Sequence, residues 1–167
     1  MKQKLHIPMK AFSVNKMFCR SVRYKTPAFQ DWSHNVLNYL SGPENQESLS
    51  ALRNYFNPDL HYFTIKLDYY FPIEILFTQN SHLSGKAFDI SNIEKPLIDL
   101  IFLPAYYGEN PPYSVHNLNL DDKYILSMTS TKHVAKYHKI EVELEIKNLE
   151  EVFQNRRQDE LIKNQII

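Results

Sequence analysis

The chain of 167 residues has a single cysteine, three glycines, one tryptophan and no net charge. With Cys19 as its only thiol, no internal disulfide can form. A closed zinc site takes four ligands, and the seven histidines do not pair at ligand spacing to make up the deficit. His133 and His138 flank a turn and do not share a helix. Cys19 also has no recognisable histidine to make it a nucleophile. The longest apolar run, Ile98 to Tyr107, is broken by Asp99 and Pro104 and falls far short of the ~20 residues a bilayer requires. The opening "MKQKLHIPMK" lacks the apolar stretch of a signal peptide, so a reducing cytoplasm is the expected setting and no membrane partner is expected.

What is present fits one domain, in which folding buries roughly 68–70% of the surface of the unfolded chain. The 19 basic and 19 acidic side chains cancel, so overall charge does not mark a nucleic-acid protein. Their distribution is uneven. From Met1 to Gln30 there are seven Lys or Arg and no acid, whereas Glu141 to Glu160 holds most of the acid of the C-terminal part. Such polarity can orient a polyanion on one face, or be solvated charge with no partner.

Along the chain, "LHIPMKAFSVNKMF" reads as a short strand ended by Pro8 and the Ser13-Val14-Asn15 turn, followed by a basic loop with Lys16, Arg20, Arg23 and Lys25. Thr26 caps a helix with Pro27 at its first position, and Phe29, Trp32, Val36, Leu37 and Leu40 recur at helical spacing. "ENQESLSALRNYF" is a second helix. "HYFTIKLDYYF" alternates with Phe63, Ile65, Leu67, Tyr69 and Phe71 on one face, and Pro72 interrupts that strand or lies on an edge. A third helix carries Ile93, Leu97, Leu100 and Ile101. "KYILSMTST" and "KIEVELEI" are expected as two antiparallel strands joined by the basic turn "KHVAKYHK", a candidate phosphate contact. The expected fold is mixed α/β (α+β), a single domain over residues 1–147 with helices packed on a mixed sheet. Residues 148–167 are expected as a C-terminal helix or flexible tail.

The stretch "FDISNIEKPLIDLIF" gathers polar groups where an apolar helix begins. If the helix starts near Ser91, then Asn92, Lys95 and Asp99 share one polar face and the aliphatic residues face the core. Ser91 and Glu94 fit a capping box. Pro96 removes an amide inside the first turns, which delays the helix or bends it. A second acidic point, Asp121-Asp122, stands at the mouth of a strand, where alternation lets one of the two meet Asp89; Asp122 is favoured. Magnesium needs one or two carboxylates plus waters and phosphate oxygens. Asp89 and Asp122 suffice in kind, Ser91 or Asn92 can add a neutral oxygen, and Lys95 can steady charge developing on a cleaved phosphate.

These residues, in this order, resemble the RusA-like Holliday-junction resolvases, small dimeric Mg²⁺-dependent endonucleases of bacteria and their prophages. The pattern of that family is an aspartate, any residue, aspartate-asparagine, two residues, lysine, then three residues and another aspartate, with a DD pair opening a later strand. Here it reads Asp89-Ile90-Ser91-Asn92-Ile93-Glu94-Lys95, Asp99 and Asp121-Asp122. The resemblance extends to "FSVNKMF", to "YKTPAFQDW" and to Lys132, covering roughly residues 5 to 147. It implies Asp89, Asp122 and Lys95 as catalytic residues, and Asp89, Asp122, Asp121 and the position of Ser91 as metal ligands, with Asn92 and Asp99 in support. DNA contacts are expected from Lys16, Arg20, Arg23, Lys25, Lys132 and Lys136.

Two departures stand out. Ser91 replaces the second aspartate of the pattern, which weakens a site for Mg²⁺ (or Mn²⁺ in its place) without touching DNA binding. An insertion, Pro104 to Leu120, brings Tyr106, Tyr107 and Tyr113, which pack against the domain or stack on unpaired bases. The expected function is a homodimeric endonuclease that resolves branched DNA in recombination and repair. Two alternatives stay open: a catalytically weakened relative that binds branched DNA, and a partner-binding protein that uses the acidic C-terminal segment.

Overall fold

A computed structural model describes residues 1–18, 25–85, 87, 89–102 and 117–154. Arg20, Arg23, Tyr106, Tyr107 and Tyr113 lie outside them, as does the chain from residue 155. Four strands, β1 (Lys2–Ile7), β2 (His61–Phe71), β3 (Ile125–Val134) and β4 (Lys139–Asn148), form one mixed sheet in the order β1-β4-β2-β3. Helices α1 (Pro27–Leu40), α2 (Pro43–Tyr55) and α4 (Ile90–Phe102) cover one face, and a single turn, α3 (Ile73–Leu76), follows Pro72. The chain is thus an α+β domain.

Alternation builds the core. Phe63, Ile65, Leu67, Tyr69 and Phe71 of β2 are all buried, as are Leu5 and Ile7 of β1 and Ile140, Val142, Leu144 and Ile146 of β4. Pro72 does not interrupt β2 but ends it, because it has no amide for the ladder. The opposite face is polar. Lys2 and Lys4 reach Glu143 at 2.7 and 3.9 Å across the β1–β4 pair. Thr26 caps α1 by accepting from the Phe29 amide at 3.2 Å, with Pro27 first in the helix. From α2, the buried Asn45 accepts from the His6 amide and donates to the His6 carbonyl, both at 3.0 Å, imitating a strand partner at the β1 edge. The β3 edge is exposed along most of its length.

The expected hairpin between β3 and β4 does not form. The two strands run in opposite directions, but β2 lies between them, parallel to β3 and antiparallel to β4. A strand with a fully apolar inner face gains most when both its edges are paired. The turn 135–138 therefore crosses the end of β2, where the Ala135 amide donates to the Phe71 carbonyl at 2.8 Å and the His138 ring meets Phe71 edge-on at 5.7 Å. Parallel neighbours need a crossover, and α4 lies on the path from β2 to β3.

Helix α4 starts one residue earlier than expected, so Ser91 lies inside its first turn and is not its cap. Asp89 takes the position before the helix, where its carbonyl accepts from the Asn92 amide at 3.1 Å. Pro96 neither delays nor ends the helix. It cannot donate to the Asn92 carbonyl, and one residue on, the buried Tyr69 hydroxyl donates to the Ile93 carbonyl at 3.2 Å, pinning this turn to the sheet. Burial keeps that hydroxyl protonated well above the ordinary tyrosine range.

Candidate functional site

The polar side chains at the start of α4 divide between two cavities. One is a groove of about 290 Å³ between α4 and the start of β3, whose wall includes Ser91, Lys95, Asp99, Asp122 and Met128. Successive helical residues turn by about 100°, so Ser91, Lys95 and Asp99, spaced by four, run down one side. Asn92, expected on the same face as Lys95 and Asp99, turns instead to a second cavity of about 560 Å³, whose wall also holds Lys10, Lys16, Asp89 and His138. There the Asn92 side-chain amide donates to the Asp89 carboxylate at 3.3 Å. Asp89 and Asp122 thus line different cavities.

In the groove, Lys95 Nζ lies 3.0 Å from Asp99 Oδ1. Asp99 is only 3% exposed, and burying a carboxylate is costly unless it is paired, as it is here. Lys25 is also drawn to this acid: burial lowers its pKa, the Asp99 charge works in the other direction, and its ammonium stands 5.8 Å from the centre of the Phe29 ring. A lysine expected on the basic loop as a DNA contact is half-buried beside the site.

Asp121 and Asp122 are not in a strand. Asp121 caps a 3-10 turn, Asp122–Tyr124, and its side chain accepts from the Lys123 amide at 2.9 Å. This leaves Asp122, the first residue of that turn, on the groove wall. Among the described residues no three His, Cys, Asp or Glu side chains gather as a ready metal site. The donors in the groove, the Asp122 and Glu94 carboxylates and the Ser91 hydroxyl beside the ion-paired Asp99, meet the minimum of a cation that takes its remaining ligands from water and phosphate.

The other expected DNA contacts are dispersed. Lys16 is exposed at the end of the 3-10 turn Val14–Lys16. Lys136 is exposed with its ammonium 5.2 Å from the centre of the Tyr137 ring. Lys132 pairs in register with Tyr69 and, by alternation with His133, belongs to the helix-covered side of β3.

A titratable network on the open sheet face escaped the sequence reading. His133 Nε2 lies 2.7 Å from Asp68 Oδ1, Lys66 Nζ donates to Asp68 Oδ2 at 2.6 Å, and the His133 ring stacks on Tyr70 at 4.7 Å. The Tyr70 hydroxyl donates to Glu141 at 3.1 Å, and Lys139 donates to the other oxygen of Glu141 at 2.7 Å. No local signal joins residues 65 positions apart; only the parallel register of β2 and β3 does.

No protein-family model matches the chain, and no curated protein matches it. Among the described residues no helix is long and apolar enough to cross a membrane.

Proposed function

We propose that this chain is a Mg²⁺-dependent, structure-selective endonuclease that cuts branched DNA such as Holliday junctions. The observation that carries this reading is the groove in which Ser91, Lys95 and Asp99 of α4 face Asp122. Asp122 and Ser91 would hold the cation, which when bound supplies a Lewis acid and an activated water. Lys95, held by Asp99, presents its positive charge where a phosphodiester gains negative charge on cleavage. Asp99 acts through Lys95 and is a positioning residue. Asp89, in the adjoining cavity, and Asn92, which donates to it, belong to the strand's approach to the groove. Two matched cuts in a four-way junction call for a homodimer, since a two-fold axis places two grooves symmetrically. On this reading the protein works on DNA in the cytoplasm, in recombination and repair.

One feature favours a second reading, a branched-DNA-binding relative with weakened catalysis. Ser91 gives the groove wall a neutral hydroxyl, and the buried carboxylate of the groove, Asp99, is committed to Lys95. Incubating a labelled four-way junction with the protein, with and without Mg²⁺, separates the two. Symmetric Mg²⁺-dependent nicks support the nuclease. A gel shift without cleavage in either Mg²⁺ or Mn²⁺ supports the binding relative, and absence of any shift sinks both.

A further inference from the structure

The second cavity has a chemistry of its own. Two ammoniums, Lys10 and Lys16, stand in its wall against one carboxylate, Asp89. Ser13 is 7% exposed and lines the same space; its oxygen accepts from the Asn15 amide at 3.3 Å, which leaves the hydroxyl hydrogen for a ligand. The Asn15 side chain adds an amide donor. His138 closes the wall from the turn after β3, and its Nδ1 is buried without a hydrogen-bond partner among the described residues. Asp89 and Asn92 place the start of the 13-residue helix α4 at the same cavity, with the partial positive charge of its first-turn amides.

An excess of cations, a buried hydroxyl donor, an amide donor and a helix start around one roomy space are complementary to a compact oxyanion with several acceptor oxygens. We infer that this cavity is a phosphate pocket, in which Lys10 and Lys16 neutralise the charge and Ser13 and Asn15 donate to the oxygens. The assignment to phosphate stands on these residues alone; the identity of the phosphate as a DNA backbone group, flanking the one that is cut, rests on the nuclease reading. The cavity adjoins the groove across a single turn of α4, since Ser91 lines one and Asn92 the other.

The test uses the full chain and two probes. Inorganic phosphate is titrated while the His138 ring resonances are followed by NMR, in the native protein and in a Lys10→Gln/Lys16→Gln variant whose melting temperature is checked. Both lysines are exposed, so the variant should fold. Saturable shifts of His138 that weaken at least about tenfold in the variant support the pocket. No shift at tens of millimolar phosphate, or equal affinity in the variant, overturns it; Ser13→Ala, which removes the donor and no charge, must weaken binding too. The second probe is a four-way junction in EDTA. Loss of about one unit of salt slope for each such pocket on the junction in the double variant, at roughly 0.9 per neutralised phosphate, identifies the ligand as DNA backbone. An unchanged slope with phosphate binding intact overturns the DNA assignment and leaves a pocket for a free phosphate compound. Asp122→Asn should leave phosphate binding untouched, and a native protein that binds phosphate in this way but cuts no junction counts against the nuclease reading and not against the pocket.

Discussion

Lys95 and Asp99, one turn apart on α4, form an ion pair of 3.0 Å in which the acid is buried and the base reaches into the groove. The burial is asymmetric, and the consequences of breaking the pair should be too. Lys95→Met should lower junction cleavage by about 10²-fold or more, on the scale of losing one charge-stabilising donor. It should cost about 1–3 kcal/mol of stability, because the buried Asp99 loses its 3.0 Å partner while Lys25 remains near the acid. Denaturant melts and single-turnover cleavage measure the two effects. A loss of stability well above that range would make Lys95 a structural residue.

Asp122 offers the complementary test. It is partly exposed on the groove wall and no side-chain hydrogen bond ties it to the described residues, so Asp122→Asn should leave the denaturation midpoint within about 0.5 kcal/mol of native. Mg²⁺-dependent cleavage should be abolished while junction binding in EDTA persists. Retained cleavage would remove Asp122 from the metal site.

Ser91→Asp adds a carboxylate facing the same space. Ser91 is exposed in the first turn of α4, where a negative charge is favoured by about 0.3–1 kcal/mol. Stability should hold or rise slightly, while Mn²⁺ affinity by calorimetry and cleavage should both increase. Asp122→Asn in the same background should cancel the gain. If metal affinity stays flat in a folded protein that still binds junctions, Ser91 is only a helix residue.

The open-face network predicts the acid limb of stability. Burial pushes the Asp68 carboxyl up, but hydrogen bonds from Lys66 and His133 together hold it below its ordinary 3.8. The Lys139 hydrogen bond, against the cost of burial and with help from Tyr70, holds Glu141 below 4.5. Groups depressed in the fold contribute their stability above their ordinary values and lose it as pH falls through the folded values. Melting temperature should therefore show no loss from these two carboxyls down to about pH 5 and fall below about pH 4. His133→Phe, which keeps an aromatic ring on Tyr70 and removes one donor to Asp68, should move that fall to higher pH. An unmoved acid limb would mean that Lys66 alone sets the Asp68 carboxyl.

Local spacing carried the elements and their inner faces. Thr26-Pro27 can begin only a helix, five apolar residues at every second place can line only one side of β2, and the aliphatic stripe of α4 must face a core. Of the groove, Lys95 and Asp99 were also visible as one polar face, although the spacing suggested Asn92 beside them where the helix presents Ser91. What periodicity cannot express is the partner. A two-residue period gives a strand its faces but not its neighbours, so the insertion of β2 between β3 and β4 depended on which strand gained most from pairing both edges. The same non-local step joined His133 to Asp68, drew Lys25 towards Asp99, and set Asp89 and Asp122 in separate cavities on either side of one helical turn. Sequence alone determined which side chains each element would offer. Only the tertiary structure decided which of them meet, because burial and strand pairing are settled between segments far apart in the chain.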